Sequence, residues 1–175
     1  VRSNDNIRIM IGNEYIDYDQ VVLASHADES LDMLEKPTTQ EKNILGKFEY
    51  VKNEAILHTD ETLMPQKKRA WSSWNSISDG NATCITYWLN KLQNLKTPRN
   101  YFLTLNPIHS VQDNLIIKKI KFTHPYLNTE NTVLQKDLHL IQGKKRTWFC
   151  GSYFGYGFHE DGLKSSIELI NNFKI

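Results

Sequence analysis

Residues 151–166 read Gly-Ser-Tyr-Phe-Gly-Tyr-Gly-Phe-His-Glu-Asp-Gly-Leu-Lys-Ser-Ser, and four of the eight glycines in the chain fall there, at 151, 155, 157 and 162. Without a Cβ, the backbone at such positions can lie close against a flat or phosphorylated ligand. A helix is predicted to begin near Asp161 or Gly162, with Leu163, Ile167, Ile170 and Phe173 along one face. Its unpaired first-turn N–H groups and positive dipole end would face back along the loop, a site suited to an electron-rich carbonyl or a phosphate. Ser165 and Ser166 are small enough for that helix to pack closely. The candidate binding residues are therefore Gly151, Ser152, Tyr153, Gly155, Gly157, His159, Glu160, Asp161, Gly162 and Leu163. The same residues also read as a glycine turn with an Asp N-cap and nothing bound.

Other side chains suggest other chemistry. His159-Glu160-Asp161, with histidines at 26, 58, 109, 124 and 139, raises a metal site, and a small metal hydrolase built on His58, Asp60, His159 and Glu160 is a rival reading. The spacing argues against it, since no His-x-x-x-His or Cys-x-x-Cys places ligands on one face. Cys84 and Cys150 sit in apolar, strand-like runs and read as core thiols rather than nucleophiles. Two thiols make no disulfide framework, which favours a reducing, cytoplasmic home. Trp71, Trp74, Tyr87 and Trp88 are candidates for a substrate pocket, or ordinary strand core. Lys67-Lys68-Arg69 follows Pro65 and reads as a solvated turn.

The elements that must position these residues follow from hydrophobic periodicity. Ile7, Ile9 and Ile11 alternate with Arg8 and Met10, Gly12-Asn13 supplies a turn, and Tyr15, Ile16 and Tyr18 complete a hairpin. A short buried strand follows at 21–24, then an acidic-started helix over 28–34 and a second helix opened by the capping box Thr38-x-x-Glu41. Strand character returns at 48–51, 55–58, 70–74, 83–89, 101–105 and 116–122, the last interleaved with lysines as edge strands are. A helix over 130–141 stopped by Gly143 precedes the final strand at 147–150. This order is α+β, with strand-helix units of α/β character at both ends of a mostly antiparallel middle sheet. The 175 residues, 39% hydrophobic and 11% aromatic, are rich enough in core formers to fold. With 21 basic against 20 acidic residues, the formal charge of +1 excludes the electrostatic footprint of a nucleic-acid binder, and no apolar run approaches a membrane span.

Taken together, several segments resemble the bacterial flavin-dependent amine oxidase-like proteins, a family of predicted NAD/FAD-binding proteins. They are Val21-Val22-Leu23-Ala24-Ser25-His26-Ala27-Asp28, Leu57-His58-Thr59-Asp60, Leu63-Met64-Pro65, Ala70-Trp71-Ser72-Ser73-Trp74-Asn75, Thr86-Tyr87-Trp88-Leu89-Asn90-Lys91-Leu92-Gln93, Thr104-Leu105-Asn106-Pro107, and residues 147–166. The resemblance implies FAD-domain segments at 1–46 and 126–175 flanking a substrate-domain sheet at 47–125. It implies that the last helix aims its N-terminus at the flavin, with N–H groups near Gly162 and Leu163 facing the N1–C2 region. Gly151 and Ser152 match positions near the ribityl and pyrophosphate, where many relatives carry an acidic residue in place of Ser152. Lys67 or Lys68 could correspond to a flavin-facing lysine, beside the exposed-turn reading. The strand, G-x-G-x-x-G turn and helix of the dinucleotide-binding unit do not occur in this sequence. The expectation is thus the C-terminal portion of an FAD-dependent oxidoreductase that oxidises a small-molecule substrate by hydride transfer. It would be inactive, and bind FAD weakly or not at all, without an N-terminal FAD-binding half that could be separately encoded. The alternative is a non-catalytic interaction domain left by a split or decayed gene.

Overall fold

The structure, a computed structural model, describes residues 1–3, 6–126 and 128–173. In chain order the elements are β1 (Ile7–Ile11), β2 (Glu14–Tyr18), β3 (Val21–Leu23), α1 (Ala27–Asp32), α2 (Thr39–Leu45) and β4 (Tyr50–His58). There follow β5 (Trp74–Ser78), β6 (Thr83–Trp88), α3 (Leu89–Leu92), β7 (Phe102–Leu105), β8 (Ile116–Pro125), α4 (Thr129–Gln135), β9 (Thr147–Phe149) and α5 (His159–Asn172). The chain divides into two compact units, Val1–Tyr50 with Pro125–Ile175, and Val51–His124. Among the described residues, no helix is long and apolar enough to cross a membrane.

In the first unit, β1 and β2 form the expected hairpin, in which the cross-strand partners Arg8 and Asp17 also pair through their side chains at 2.7 Å. β3 and β9, from distant parts of the sequence, pair in parallel, Val21 with Thr147 through Leu23 with Phe149. Their inner face, together with α1, α2 and the turn at Leu138–Ile141, closes a core of Ala27, Leu45, Phe48, Ile141, Phe149 and Tyr153. The capping box forms as the sequence predicts: Glu41 N–H donates to Thr38 Oγ1 at 3.1 Å, and Thr38 N–H donates to the Glu41 carboxylate at 2.7 Å.

The second unit is a five-stranded sheet in the order β5-β6-β7-β4-β8, with the lysine-bearing β8 at one edge. Its β4–β7, β7–β6 and β6–β5 pairs are antiparallel. The strands expected at 48–51 and 55–58 are one continuous strand, β4, and two further expectations change, one of them in the first unit. Residues 70–73 are not strand: Trp71 is buried, its Nε1 donates to Pro65 O at 2.7 Å, and Asn75 Oδ1 accepts from Ser72 N–H, so the segment wraps the indole before β5 starts. The helix expected over 130–141 breaks after Gln135, whose side-chain amide donates to Gly155 O at 2.6 Å and to Tyr153 O at 3.2 Å.

One ion pair ties the start of the chain to this architecture. Arg2 presents Nη1 and Nη2 to the two Glu41 oxygens at 2.6 and 2.8 Å, with Nη1 also 3.3 Å from Thr147 Oγ1 on β9. The side chains are 8% and 0% exposed. Burial pushes the Glu41 carboxyl up, but the Arg2 guanidinium and the Thr38 N–H outweigh it and hold the pKa below the ordinary value. Removing one partner of such a pair strands the other charge in the interior. Arg2→Met is therefore expected to destabilise the chain by about 3–5 kcal/mol in urea unfolding. The native pair's contribution is complete above the usual carboxylate range and disappears as the pH falls through the lowered Glu41 value, a dependence that Arg2→Met removes.

Candidate functional site

The glycine-rich loop leaves β9 and returns as α5. The helix starts at His159 with Phe158 as N-cap, two residues before the earliest expected start. Asp161 is therefore not the N-cap but lies in the first turn. One of its carboxylate oxygens accepts from Tyr156 N–H and from Phe158 N–H, each at 3.0 Å, closing the loop onto the helix start. The opposite side of the helix approaches the loop's beginning: Gly151 N–H donates to Ser165 Oγ at 3.0 Å, and that hydroxyl lies 2.8 Å from Gly162 O as its nearest acceptor.

Three of the four glycines have reasons inside the chain. A Cβ at Gly155 would sit 2.4 Å from the Asp161 carboxyl group, and one at Gly151 would meet the Tyr153 ring at 2.8 Å. Gly157 has φ +88°, a conformation that other residues adopt only with strain. Gly162 has no such reason. A Cβ there would meet nothing closer than Ser152 N at 3.7 Å and Gly151 C at 3.9 Å. A glycine inside a helix costs about 0.5–1 kcal/mol relative to alanine. Its bare backbone lies beside Gly151 and Ser152 in the first turn of a 14-residue helix, with room for one methyl group between them.

The remaining loop residues divide between core and surface. Tyr153 is buried, its ring edge-on to Phe48 at 5.3 Å. His159, Glu160 and Leu163 are exposed on the first turn of α5, and Glu160 is 4.0 Å from Lys164. Tyr156 and Phe158, not among the candidate binding residues named from sequence, are both 69% exposed on the same loop. Their signal was available: large aromatics either side of a glycine in a tight loop cannot both reach a core.

In the second unit the four candidate aromatics lie on two faces of the sheet. Trp88 shares the buried face with its cross-strand partner Phe102, and Trp71 packs edge-on against both at 5.3 and 5.7 Å. Trp74 and Tyr87 are cross-strand partners on the other face, where Trp74 is exposed. Lys68 stands 5.2 Å over the Trp71 ring and 3.0 Å from Glu61, at the surface of this unit.

A row of polar groups crosses the buried face. His58 on β4 is fully buried, with Nε2 2.7 Å from Thr104 Oγ1 on β7, which is 2.8 Å from Thr86 Oγ1 on β6. Asp60 N–H donates to His58 Nδ1 at 3.1 Å, which places the ring proton on Nε2 as donor to Thr104. Asp60 accepts from Thr62 N–H and Oγ1 and from Gln112 N–H. Among the described residues, no three His, Cys, Asp or Glu side chains come together in a way that could hold a metal ion.

Burial pushes the His58 pKa down, and Asp60 pulls it only part of the way back. The unfolded chain therefore takes up this proton first, and the stability His58 confers is lost as the pH falls from the ordinary histidine range through the lowered value. The thermal midpoint is expected to drop between about pH 7 and pH 5, and to do so less steeply in His58→Leu, from a lower baseline. Gly162→Ala, by contrast, is expected to raise stability by about 0.5–1 kcal/mol, because the added methyl group has room and the helix gains propensity.

No protein-family profile and no curated protein matches the sequence. Solved structures do match in fold. A CLA-producing fatty acid isomerase from P. acnes superposes with a TM-score of 0.65 at 13% identity, over 99% of this chain and 46% of its own. A putative protoporphyrinogen oxidase from Exiguobacterium sp. 255-15 superposes with a TM-score of 0.61 at 11% identity, over 98% of this chain and 44% of its own. At these identities the likeness establishes the fold. The chain spans less than half the length of either structure.

Proposed function

We propose that this chain is the C-terminal portion of an FAD-dependent, amine oxidase-like oxidoreductase, acting on a small-molecule substrate and inactive without an N-terminal FAD-binding half. The observation that carries this reading is Gly162. It is the one glycine of the loop that internal packing does not require, and it lies in the first turn of α5, where the sequence resemblance puts the flavin, although its own N–H donates to Phe158 O at 3.3 Å. The residues present suit that cofactor. Gly151, Ser152 and Gly162 offer flat backbone, and the start of α5 offers the partial positive charge of its dipole to the electron-rich edge of a flavin, while the Asp161 and Gly162 N–H groups already donate to Phe158 O. Tyr156 and Phe158 add apolar surface that would exclude water beside the ring. Bound FAD would supply the redox chemistry by accepting hydride from a substrate C–H bond. A putative protoporphyrinogen oxidase among the fold neighbours agrees with an oxidoreductase.

Titration of the purified chain with FAD, followed by difference absorbance in the flavin's visible bands, tests the reading. The expected result is a saturable perturbation with a dissociation constant in the millimolar range, weakened by Gly162→Ala even as that variant gains thermal stability. A perturbation that Gly162→Ala leaves unchanged would overturn the place given to Gly162, and a spectrum that stays additive up to the solubility limit of FAD would favour the non-catalytic interaction domain.

A further inference from the structure

The β1–β2 hairpin ends in an outer edge that no described residue of its own chain covers. All five residues of β2 are exposed, and three of them are large and apolar, Tyr15, Ile16 and Tyr18 at 62%, 40% and 43%. Edge strands are ordinarily shielded from pairing by lysines, proline or a bulge. β8 carries three lysines, whereas β2, Glu14-Tyr15-Ile16-Asp17-Tyr18, carries neither lysine nor proline, and its register with β1 is unbroken by a bulge.

The register fixes which backbone groups that edge offers. Arg8 N–H donates to Val1 O at 2.8 Å, on the side of β1 away from β2. Arg8 stands opposite Asp17, and a pair of this kind in an antiparallel sheet points its backbone groups outward on both strands. Asp17, and by alternation Tyr15, therefore turn their N–H and C=O groups to the outer edge of β2. Among the described residues no backbone hydrogen bond reaches them there. Tyr15 and Asp17 share one face of the hairpin with Arg8 and Met10, while Ile16 lies on the other with Ile9 and Tyr18.

We propose that β2 pairs antiparallel with β2 of a second copy of this chain, about a two-fold axis at Ile16, joining two hairpins into the four-stranded sheet β1-β2-β2-β1. The strand's own sequence selects this occupant. About that axis Tyr15 of each copy exchanges backbone hydrogen bonds with Asp17 of the other, so every outward group of the edge is used. Ile16 meets Ile16 on one face, with Glu14 opposite Tyr18. On the other face, Tyr15 of each copy comes to lie against the Arg8–Asp17 ion pair of the other. No like charges stand opposite each other. Moving the axis to Asp17 would set the two Asp17 carboxylates face to face, and moving it to Tyr15 would leave Asp17 against the Gly12-Asn13 turn. The contact is isologous and closed, and it extends a two-stranded sheet that is marginal by itself. It uses no residue of the cofactor reading above.

Sedimentation equilibrium of the purified chain, over a concentration series reaching about 1 mM, tests the pairing. The expected result is a monomer–dimer equilibrium with a dissociation constant of about 100 µM, weak because the interface is small. Two substitutions at one exposed position separate this register from general stickiness. Tyr15→Glu sets like charges against Asp17 on both sides of the axis and should weaken association about tenfold, whereas Tyr15→Lys sets opposite charges there and should match or exceed the native affinity. Both variants should keep the circular dichroism of the native chain, since Tyr15 is exposed. The axis also brings the two Ile16 Cα atoms to about 4.5 Å, within disulfide range, so Ile16→Cys should cross-link into a covalent dimer on mild oxidation. The proposal is overturned by a chain that stays monomeric throughout the series or grows into oligomers larger than a dimer. Equal affinities in the Glu and Lys variants, or an Ile16→Cys chain that does not cross-link, overturn it as well.

Discussion

Two three-residue strands carry the organisation of the first unit. β3 and β9 meet from opposite ends of the sequence, and a parallel pair this short has too few backbone hydrogen bonds to persist unless side chains lock it from outside. Three locks are present. Arg2 joins Glu41 on α2 to Thr147 on β9, the Gln142 amide stands in for a neighbouring strand at Phe149, and Ser165 on α5 holds Gly151 just beyond β9. The core of Ala27, Leu45, Ile141 and Phe149 assembles on the face these contacts define. The loop that leaves β9 inherits its position from the same constraint.

That dependence changes how the glycine-rich loop is understood. Its composition suggests a ligand throughout, yet the structure assigns most of it to geometry: Gly155 yields space to Asp161, Gly151 yields space to Tyr153, and Gly157 turns the chain. Asp161 is spent on the loop's own N–H groups. The exception is Gly162, where a glycine is costly inside a helix and not required by packing. The second unit shows the reverse. His58 and Asp60, the side chains with the most chemical promise there, are engaged across and beside the sheet with Thr104, Thr62 and Gln112. Their polar atoms hold strands and turns in register.

Much of the fold was legible from local pattern. The β1–β2 hairpin follows from alternation around Gly12-Asn13, the α2 cap from Thr38 and Glu41, and the edge position of β8 from its lysines. These signals span a few residues and use interactions made within them. The expectations that changed involve partners far along the chain or alternative uses of a side chain. Trp71 reads as strand by propensity, but an indole that donates to Pro65 O folds its segment into a loop. Gln135 suits a continuing helix, but the next N–H groups, those of Lys136 and Asp137, donate three residues back to Val133 O and Leu134 O, and the α-helix ends.

The candidate site divides in the same way. Sequence by itself determined that a glycine loop precedes a helix with an apolar stripe, and that a capping box and a β-rich middle lie between two strand-helix ends. All of these depend on spacing along the chain, which sequence records directly. Only the tertiary structure decided that Gly162 alone among the loop's glycines lacks an internal reason, that Tyr153 belongs to the core, and that the stripe of α5 faces outward. Periodicity shows that a helix has an apolar face, but whether water or protein meets that face depends on what else is folded beside it.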